Sequence, residues 1–163
     1  MKSNEKEKAF IELIRQYERI IYKVCSFYAS DTNPIADLYQ EVVCNLWSAF
    51  PKFRNECSPS TWIYRIALNT CISDLRKSKR NPKAVPLSQQ LQELLPNPAE
   101  MTDDIKELYQ LVHRLKTIER AIILLYLEER SYQEIADITG LALSNVATKI
   151  RRIKEKLRQI SNL

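Results

Sequence analysis

A chain of 163 residues with a single glycine, Gly140, has few ways to turn tightly. Close hairpins use residues that accept positive φ, and glycine is the default choice there. One glycine therefore disfavours a sheet of tightly connected strands and points to helices. Its surroundings are more specific still. Ser131 and Glu134 have the spacing of a capping box, which predicts a helix from Tyr132 with Ile135 and Ile138 on one face. Gly140 falls where that helix should end, at the position that favours a left-handed residue. Ser144 is expected to cap a second helix, on which Val146, Ile150, Ile153 and Leu157 recur at steps of four, three and four. Small Ala136, Gly140 in the turn and Val146 beyond it fit a helix-turn-helix. The second helix carries Lys149, Arg151, Arg152, Lys154, Lys156 and Arg158 against one acid, Glu155. A basic helix after a tight turn is what a reader of the DNA major groove requires. A helical hairpin with a solvated basic face would share the pattern, but the one-sided charge favours DNA.

The net charge of +5 is unevenly spread. Residues 1–80 hold 13 basic and 9 acidic residues, a net +4; residues 81–130 hold 6 and 8, a net −2; residues 131–163 hold 6 and 3, a net +3. Two basic ends around an acidic middle suit two separate contacts with a polyanion. The cysteines, Cys25, Cys44, Cys57 and Cys71, form no CxxC pair, and His113 is far from them, so no metal site or cofactor is expected. Cys25, Cys44 and Cys71 fall in apolar helical patterns, where free cysteine acts as a small hydrophobe. A reduced, cytoplasmic chain is expected, because the N-terminus is charged and no long apolar run follows.

Pro82, Pro86, Pro96 and Pro98 cluster between Lys79 and Glu100. That cluster predicts a linker over 81–100 between two small helical domains, 1–80 and 101–163, in an all-α fold. In the first domain Phe10, Ile14, Tyr17, Ile21, Val24 and Tyr28 make one apolar stripe. Asn33-Pro34 reads as a cap with Pro at the first helical position, opening a helix that stops before Pro51. Ser58-Pro59 or Ser60 starts the next helix, which leads into the basic run Arg76 to Arg80. In the second domain Leu108, Leu111, Val112 and Leu115 share a face, and the helix through Ile122 to Leu125 is apolar on most sides.

Taken together, these segments resemble a bacterial RNA polymerase sigma factor of the extracytoplasmic-function group. DLYQEVVCNLWSAFPKFR is similar to the part of sigma region 2 that docks on core polymerase. STWIYRIALNTCISDLRK is similar to the part that melts and captures the −10 element, and the segment from Glu119 to Arg158 to region 4, which reads the −35 element. The larger region 3 is absent. Two departures stand out: Arg130 where members often have Gly, and Leu115 to Arg120 where they commonly have Pro-x-x-x-Arg.

The resemblance implies particular roles. For the −35 element these fall on Asn145, Thr148, Lys149 and Arg152 toward bases, on Arg151 and Lys154 toward phosphates, and on Ser144 at the start of the same helix. For the −10 element they fall on Trp62, Tyr64, Arg65 and Asn69, with the loop from Phe53 to Ser60 completing a pocket for a flipped base. Trp62 is equally at home in a core. Asn69, set among apolar neighbours, is expected to need a partner. Arg76 and Lys77 would track phosphates, and Asp37, Gln40, Glu41 and Trp47 would contact core polymerase. Asp37, Gln40, Glu41 and Asn45 form a polar stripe, with Leu38, Val42, Leu46 and Trp47 largely on another face. The implied partners are the polymerase core, promoter DNA and an anti-sigma factor, with no small-molecule substrate. Two other functions fit parts of the pattern. A ligand-sensing repressor would need a pocket and a dimer interface. A recombinase would need a nucleophile and an Arg cluster on a mixed α/β domain, against which the lack of strand patterns speaks.

Overall fold

The computed structural model describes residues 3–80 and 103–161, with side chains described throughout except at residues 75–80 and 105. Every regular element among them is helical, and the chain divides into two compact units, Met1–Gln92 and Glu93–Leu163. The expected linker, 81–100, lies outside the described residues. No described helix is long and apolar enough to cross a membrane.

The first unit packs α1 (Ser3–Tyr28), α2 (Ile35–Ala49) and α3 (Pro59–Arg80) each against the other two, with a 3₁₀ turn at Phe50–Lys52. Helix α1 bends at Tyr17, where φ is −116° and ψ 17°. Of its stripe, Phe10, Ile21, Val24 and Tyr28 are buried, whereas Ile14 and Tyr17, at and just before the bend, are half-buried. Leu38, Val42 and Leu46 from α2 and Ile63, Ala67 and Cys71 from α3 complete the core. Each buried Leu or Ile contributes about 1.5–3 kcal/mol, so this apolar junction holds the unit together. Cys44 is exposed on α2, not part of the apolar pattern that its neighbours suggested. Cys25 and Cys71 are buried, and the hydrogen bond to Cys25, then burial, pushes the Cys71 thiol well up.

The helix starts differ by a residue from expectation in one case and agree in another. Pro34 is the N-cap of α2 rather than its first residue, and its carbonyl accepts the N–H groups of Asp37 at 3.1 Å and Leu38 at 3.2 Å. Ser58 caps α3, its Oγ accepting the Thr61 N–H at 3.2 Å, and Pro59 follows at the first helical position.

The second unit is built on α5 (Thr117–Leu127), whose residues Ala121 to Leu125 are all buried. Helices α6 (Tyr132–Thr139) and α7 (Leu143–Ser161) pack on α5 and on each other, and α4 (Asp103–Val112) lies against α7. Val112 and Leu115 are buried as expected, but Leu108 is 36% exposed, so the apolar face of α4 is narrower than its pattern. Arg120 closes the α4–α5 turn, donating from Nε to the Leu115 carbonyl at 3.2 Å and from Nη2 to the His113 carbonyl at 3.0 Å. Those carbonyls lie past a helix end and would otherwise lack partners. Glu119 ties α5 to α7 through Lys156, Nζ to Oε1 3.2 Å, and also accepts the Lys116 N–H at 2.9 Å. Helix α5 ends on Glu129 in the left-handed region, φ +61°, and the Arg130 N–H returns to the Leu125 carbonyl at 3.0 Å. The residue that glycine would suit is thus Glu129, one before Arg130.

Candidate nucleic-acid interface

The turn between α6 and α7 is fixed locally. Ser131 Oγ accepts the Glu134 N–H at 3.1 Å, and the Glu134 carboxylate accepts the Ser131 N–H at 3.2 Å. That backbone N–H, then the Ser131 hydroxyl and Arg130, outweighs burial and holds the Glu134 carboxyl below its ordinary range. At the other end Gly140 takes φ +79°, and its N–H closes on the Ala136 carbonyl at 2.8 Å. Helix α7 then begins at Leu143, with the Val146 N–H bonded to the Ala142 carbonyl at 3.1 Å. Ser144 is therefore inside the first turn and is not the cap. Its carbonyl accepts the Thr148 hydroxyl at 3.1 Å.

Val146, Ile150 and Ile153 seat α7 on the unit, which turns its other faces outward. Ser144, Asn145, Arg151, Arg152 and Lys154 are exposed, and Thr148 and Lys149 are half-buried. Because the Thr148 hydroxyl spends its proton on Ser144, it meets an outside group as an acceptor. Lys154 is not a freely solvated charge: its Nζ donates to the Tyr126 hydroxyl and stands 4.2 Å from that ring's centroid. It rims a cleft of about 270 Å³ together with Tyr132, Ala147, Ile150, Arg151, Glu155 and Arg158. Arg158 Nη1 sits 3.4 Å from Glu155 Oε2 at the far end of that cleft. The arrangement sets three cations and a tyrosine around one opening, which suits a phosphate. Tyr132, 41% exposed, and Leu143, 48% exposed, join this surface without having been singled out in the sequence. An exposed aromatic at the first residue of α6 was the available signal.

In the first unit, α3 presents Asn69 to solvent and Arg65 at half burial, four residues apart on one face. Asn69 is thus not an apolar-interior asparagine, and the burial cost that seemed to demand a partner does not arise. Tyr64 lies one residue from Arg65, about 100° around the helix. It is only 1% exposed, so it is a core residue rather than a −10 contact. Trp62 is half-buried, with Phe53 stacked on it at 4.5 Å and 24° between planes, and Phe50 at 6.4 Å. One face of the indole is therefore already occupied by the preceding loop. That loop turns at Asn55, φ +57°, and Cys57 Sγ lies 3.6 Å from Arg65 Nη1. Arg76 and Lys77 fall on the backbone of α3, with their side chains outside the described residues.

On α2, Gln40 is exposed and Asp37 and Glu41 are half-buried. Burial, then the neighbouring Asp74 carboxylate, raises Asp37 above its ordinary value. Asn45 continues the row and donates from Nδ2 to Thr70 Oγ1 on α3 at 2.9 Å. Trp47 is 39% exposed, so it leaves the buried face of Leu38, Val42 and Leu46. Phe10 at 4.9 Å and Lys6 Nζ at 5.2 Å from its ring hold it against α1. Among the described residues no cluster of three His, Cys, Asp or Glu could hold a metal.

Residues 13–81 match the Sigma-70 region 2 family and residues 105–157 match the Sigma-70, region 4 family, in that order. Among curated proteins the chain is similar to RNA polymerase sigma factor SigV of Bacillus subtilis, 29% identical with 97% of this chain and 95% of that protein covered. It is also similar to the ECF RNA polymerase sigma factor SigW of the same organism, 27% identical over 94% of this chain and 89% of that one. Among solved structures, the sigma factor RpoE of Bartonella quintana, crystallised with its anti-sigma factor NepR, shares the fold. Its TM-score is 0.74 at 18% identity, covering 96% of this chain and 98% of that one.

Proposed function

This chain belongs to the sigma-70 family of RNA polymerase sigma factors, and we propose that it works as one of the extracytoplasmic-function group. It directs core polymerase to promoters and opens them for transcription initiation. It makes and breaks no covalent bond; its work is recognition and strand separation driven by binding energy. The observation that carries this is the order of two helical units that match regions 2 and 4, the second with an outward basic helix set by Gly140. We assign region 2 to 1–80, a linker to 81–100 and region 4 to 101–163.

In this reading α7 enters the major groove by its N-terminal half. Asn145, Thr148, Lys149 and Arg152 face base edges there, and a good bidentate pair is worth about 1–3 kcal/mol of discrimination. Exposed Leu143 offers an apolar contact for a thymine methyl. Arg151, Lys154 and Tyr132 take the phosphate backbone, which positions α7 without specifying sequence. Tyr126 holds Lys154 in place beforehand, so less side-chain freedom is lost on binding.

Helix α3 takes the opened −10 strand. Extruding a base costs a few kcal/mol, which stacking and edge hydrogen bonds offset. Asn69 and Arg65 supply the polar groups, and Trp62 backed by Phe53 supplies the stacking surface. Asp37, Gln40, Glu41 and Trp47 on α2 dock on the polymerase core. We place the protein in the cytoplasm. We assign it an anti-sigma partner on the strength of the RpoE and NepR pair, whose sigma member shares this fold.

Promoter selection from random DNA by core polymerase reconstituted with this chain tests the assignment. Two conserved blocks at a fixed spacing are the result expected of a two-element reader. A single block bound equally without polymerase would mean an ordinary helix-turn-helix repressor or activator.

A further inference from the structure

A side-chain hydrogen bond joins the polar stripe of α2 to α3. Asn45 Nδ2 donates to Thr70 Oγ1 at 2.9 Å, and the Thr70 hydroxyl donates in turn to the Ile66 carbonyl at 2.7 Å. Both functions of the hydroxyl are thereby used. Thr70 is 5% exposed while Asn45 is an exposed residue, so the bond is shielded from water on the Thr70 side. Asn45 stands four residues past Glu41 and eight past Asp37, on the row assigned to polymerase docking. Thr70 directly follows Asn69, the exposed residue assigned to the flipped base.

Beside this bond, Asp37 on α2 lies near the Asp74 carboxylate of α3, and the buried part of the α2–α3 contact is largely apolar. Val42 and Leu46 on α2 and Ala67 and Cys71 on α3 are all fully buried, and the two helices pack together. Apolar burial is non-directional: it sets how close two helices come, more than how each is rotated about its own axis. The hydrogen bond is directional, since it weakens steeply once its angle falls away. A rotation of α3 that swings Thr70 away from Asn45 swings Asn69 by the same angle. The bond therefore links where polymerase holds α2 to where Asn69 points.

We propose that Asn45 is a positioning residue for promoter opening: by donating to Thr70 it sets the rotation of α3 against the docked α2, so that Asn69 meets the extruded base. This rests on the reading of α2 as the docking helix and α3 as the −10 face. Asn45 itself touches no nucleotide in this scheme. It acts through Thr70, and its removal alters the opening step rather than the docking step.

The test uses full-length protein reconstituted with core polymerase on a linear promoter. Permanganate reactivity of −10 thymines reports opening, and titration of core reports docking. Thr70→Val keeps the side chain's shape and removes both its acceptor and its donor; Thr70→Ser keeps the hydroxyl. Asn45→Ala should lower the opened fraction roughly two- to tenfold, the effect of losing one hydrogen bond, and Thr70→Val, which also loses the bond to the Ile66 carbonyl, at least as much. Affinity for core should stay unchanged in Thr70→Val, and Thr70→Ser should open the promoter like wild type. The double variant Asn45→Ala with Thr70→Val should be no worse than Thr70→Val alone, because both remove one interaction. Wild-type opening by either single variant overturns the proposal. So does loss of core affinity by Thr70→Val in step with opening, or failure of Thr70→Ser to open the promoter. If the wild-type protein itself opens no promoter, the sigma assignment fails, and this inference with it.

Discussion

Gly140→Ala is the cleanest probe of the turn that aims α7. Gly140 holds φ +79°, and a Cβ added there would meet nothing within 4 Å. The substitution therefore carries no steric clash, only the backbone preference of an L-residue. That preference costs about 1–2 kcal/mol in the left-handed region. Alanine also narrows the unfolded chain's freedom, which returns about 0.4–1 kcal/mol. The second unit should lose up to about 1.6 kcal/mol, with about 0.8 kcal/mol the middle of the range, and Gly140→Asn should lose less, since asparagine tolerates this conformation. For a domain of this size each kcal/mol moves Tm by about 4–8 °C. Both tryptophans, Trp47 and Trp62, are in the first unit, so indole fluorescence follows that unit alone. Far-ultraviolet circular dichroism follows both. In Gly140→Ala the dichroism transition of the second unit should fall by several degrees while the fluorescence transition stays put. A loss above about 3 kcal/mol, or a clear gain in stability, would refute the reasoning, because the cost would then not be that of one left-handed residue.

Glu129→Gly is the mirror experiment: φ is +61° there, so glycine should stabilise the second unit by up to about 1 kcal/mol in the same dichroism assay. Acid should act oppositely on the two units. Burial alone would raise Glu119, but the Lys116 N–H and Lys156 overcome it and hold Glu119, like Glu134, below the ordinary 4.5. Folding therefore favours their charged forms, and the stability they add to the second unit is lost as pH falls from about 4.5 through their folded values. Asp37 is shifted the other way, so its contribution to the first unit becomes more favourable as pH falls. Dichroism melts at descending pH should show the second unit weakening first. Arg152→Ala should relax preference at one −35 position, whereas Lys154→Ala should weaken all sequences alike and lower the salt slope by about one; promoter-library selection with both variants separates the two. Asn69→Ala should reduce permanganate reactivity at the −10 element while leaving duplex binding intact, since its partner exists only after melting.

The legible part of this fold was what the chain decides locally. Ser131 with Glu134 and Gly140 fixed the α6 ends because caps and left-handed residues depend on near neighbours. The proline cluster between Lys79 and Glu100 predicts two domains, and the chain divides into two compact units, Met1–Gln92 and Glu93–Leu163. Facing direction was harder. Tyr64 and Arg65 are adjacent in the chain, yet one is in the core and the other half out, because the helix turns about 100° per residue. The sequence pattern puts Trp47 largely on the face of Leu38, Val42 and Leu46, but it is 39% exposed, on the flank beside Phe10 of α1. Tertiary pairs were not legible at all. Lys154 and Tyr126 are 28 residues apart, and Asn45 and Thr70 are 25 apart; nothing in local pattern joins them.

The most direct test of the central claim is run-off transcription with purified core polymerase, with and without the full-length protein, on a template carrying a promoter that the reconstituted enzyme selects. A discrete run-off product should appear only when the protein is present, and Arg152→Ala and Asn69→Ala should both diminish it. Equal transcription with and without the protein would contradict the account, and the basic face of α7 would then be only a solvated surface.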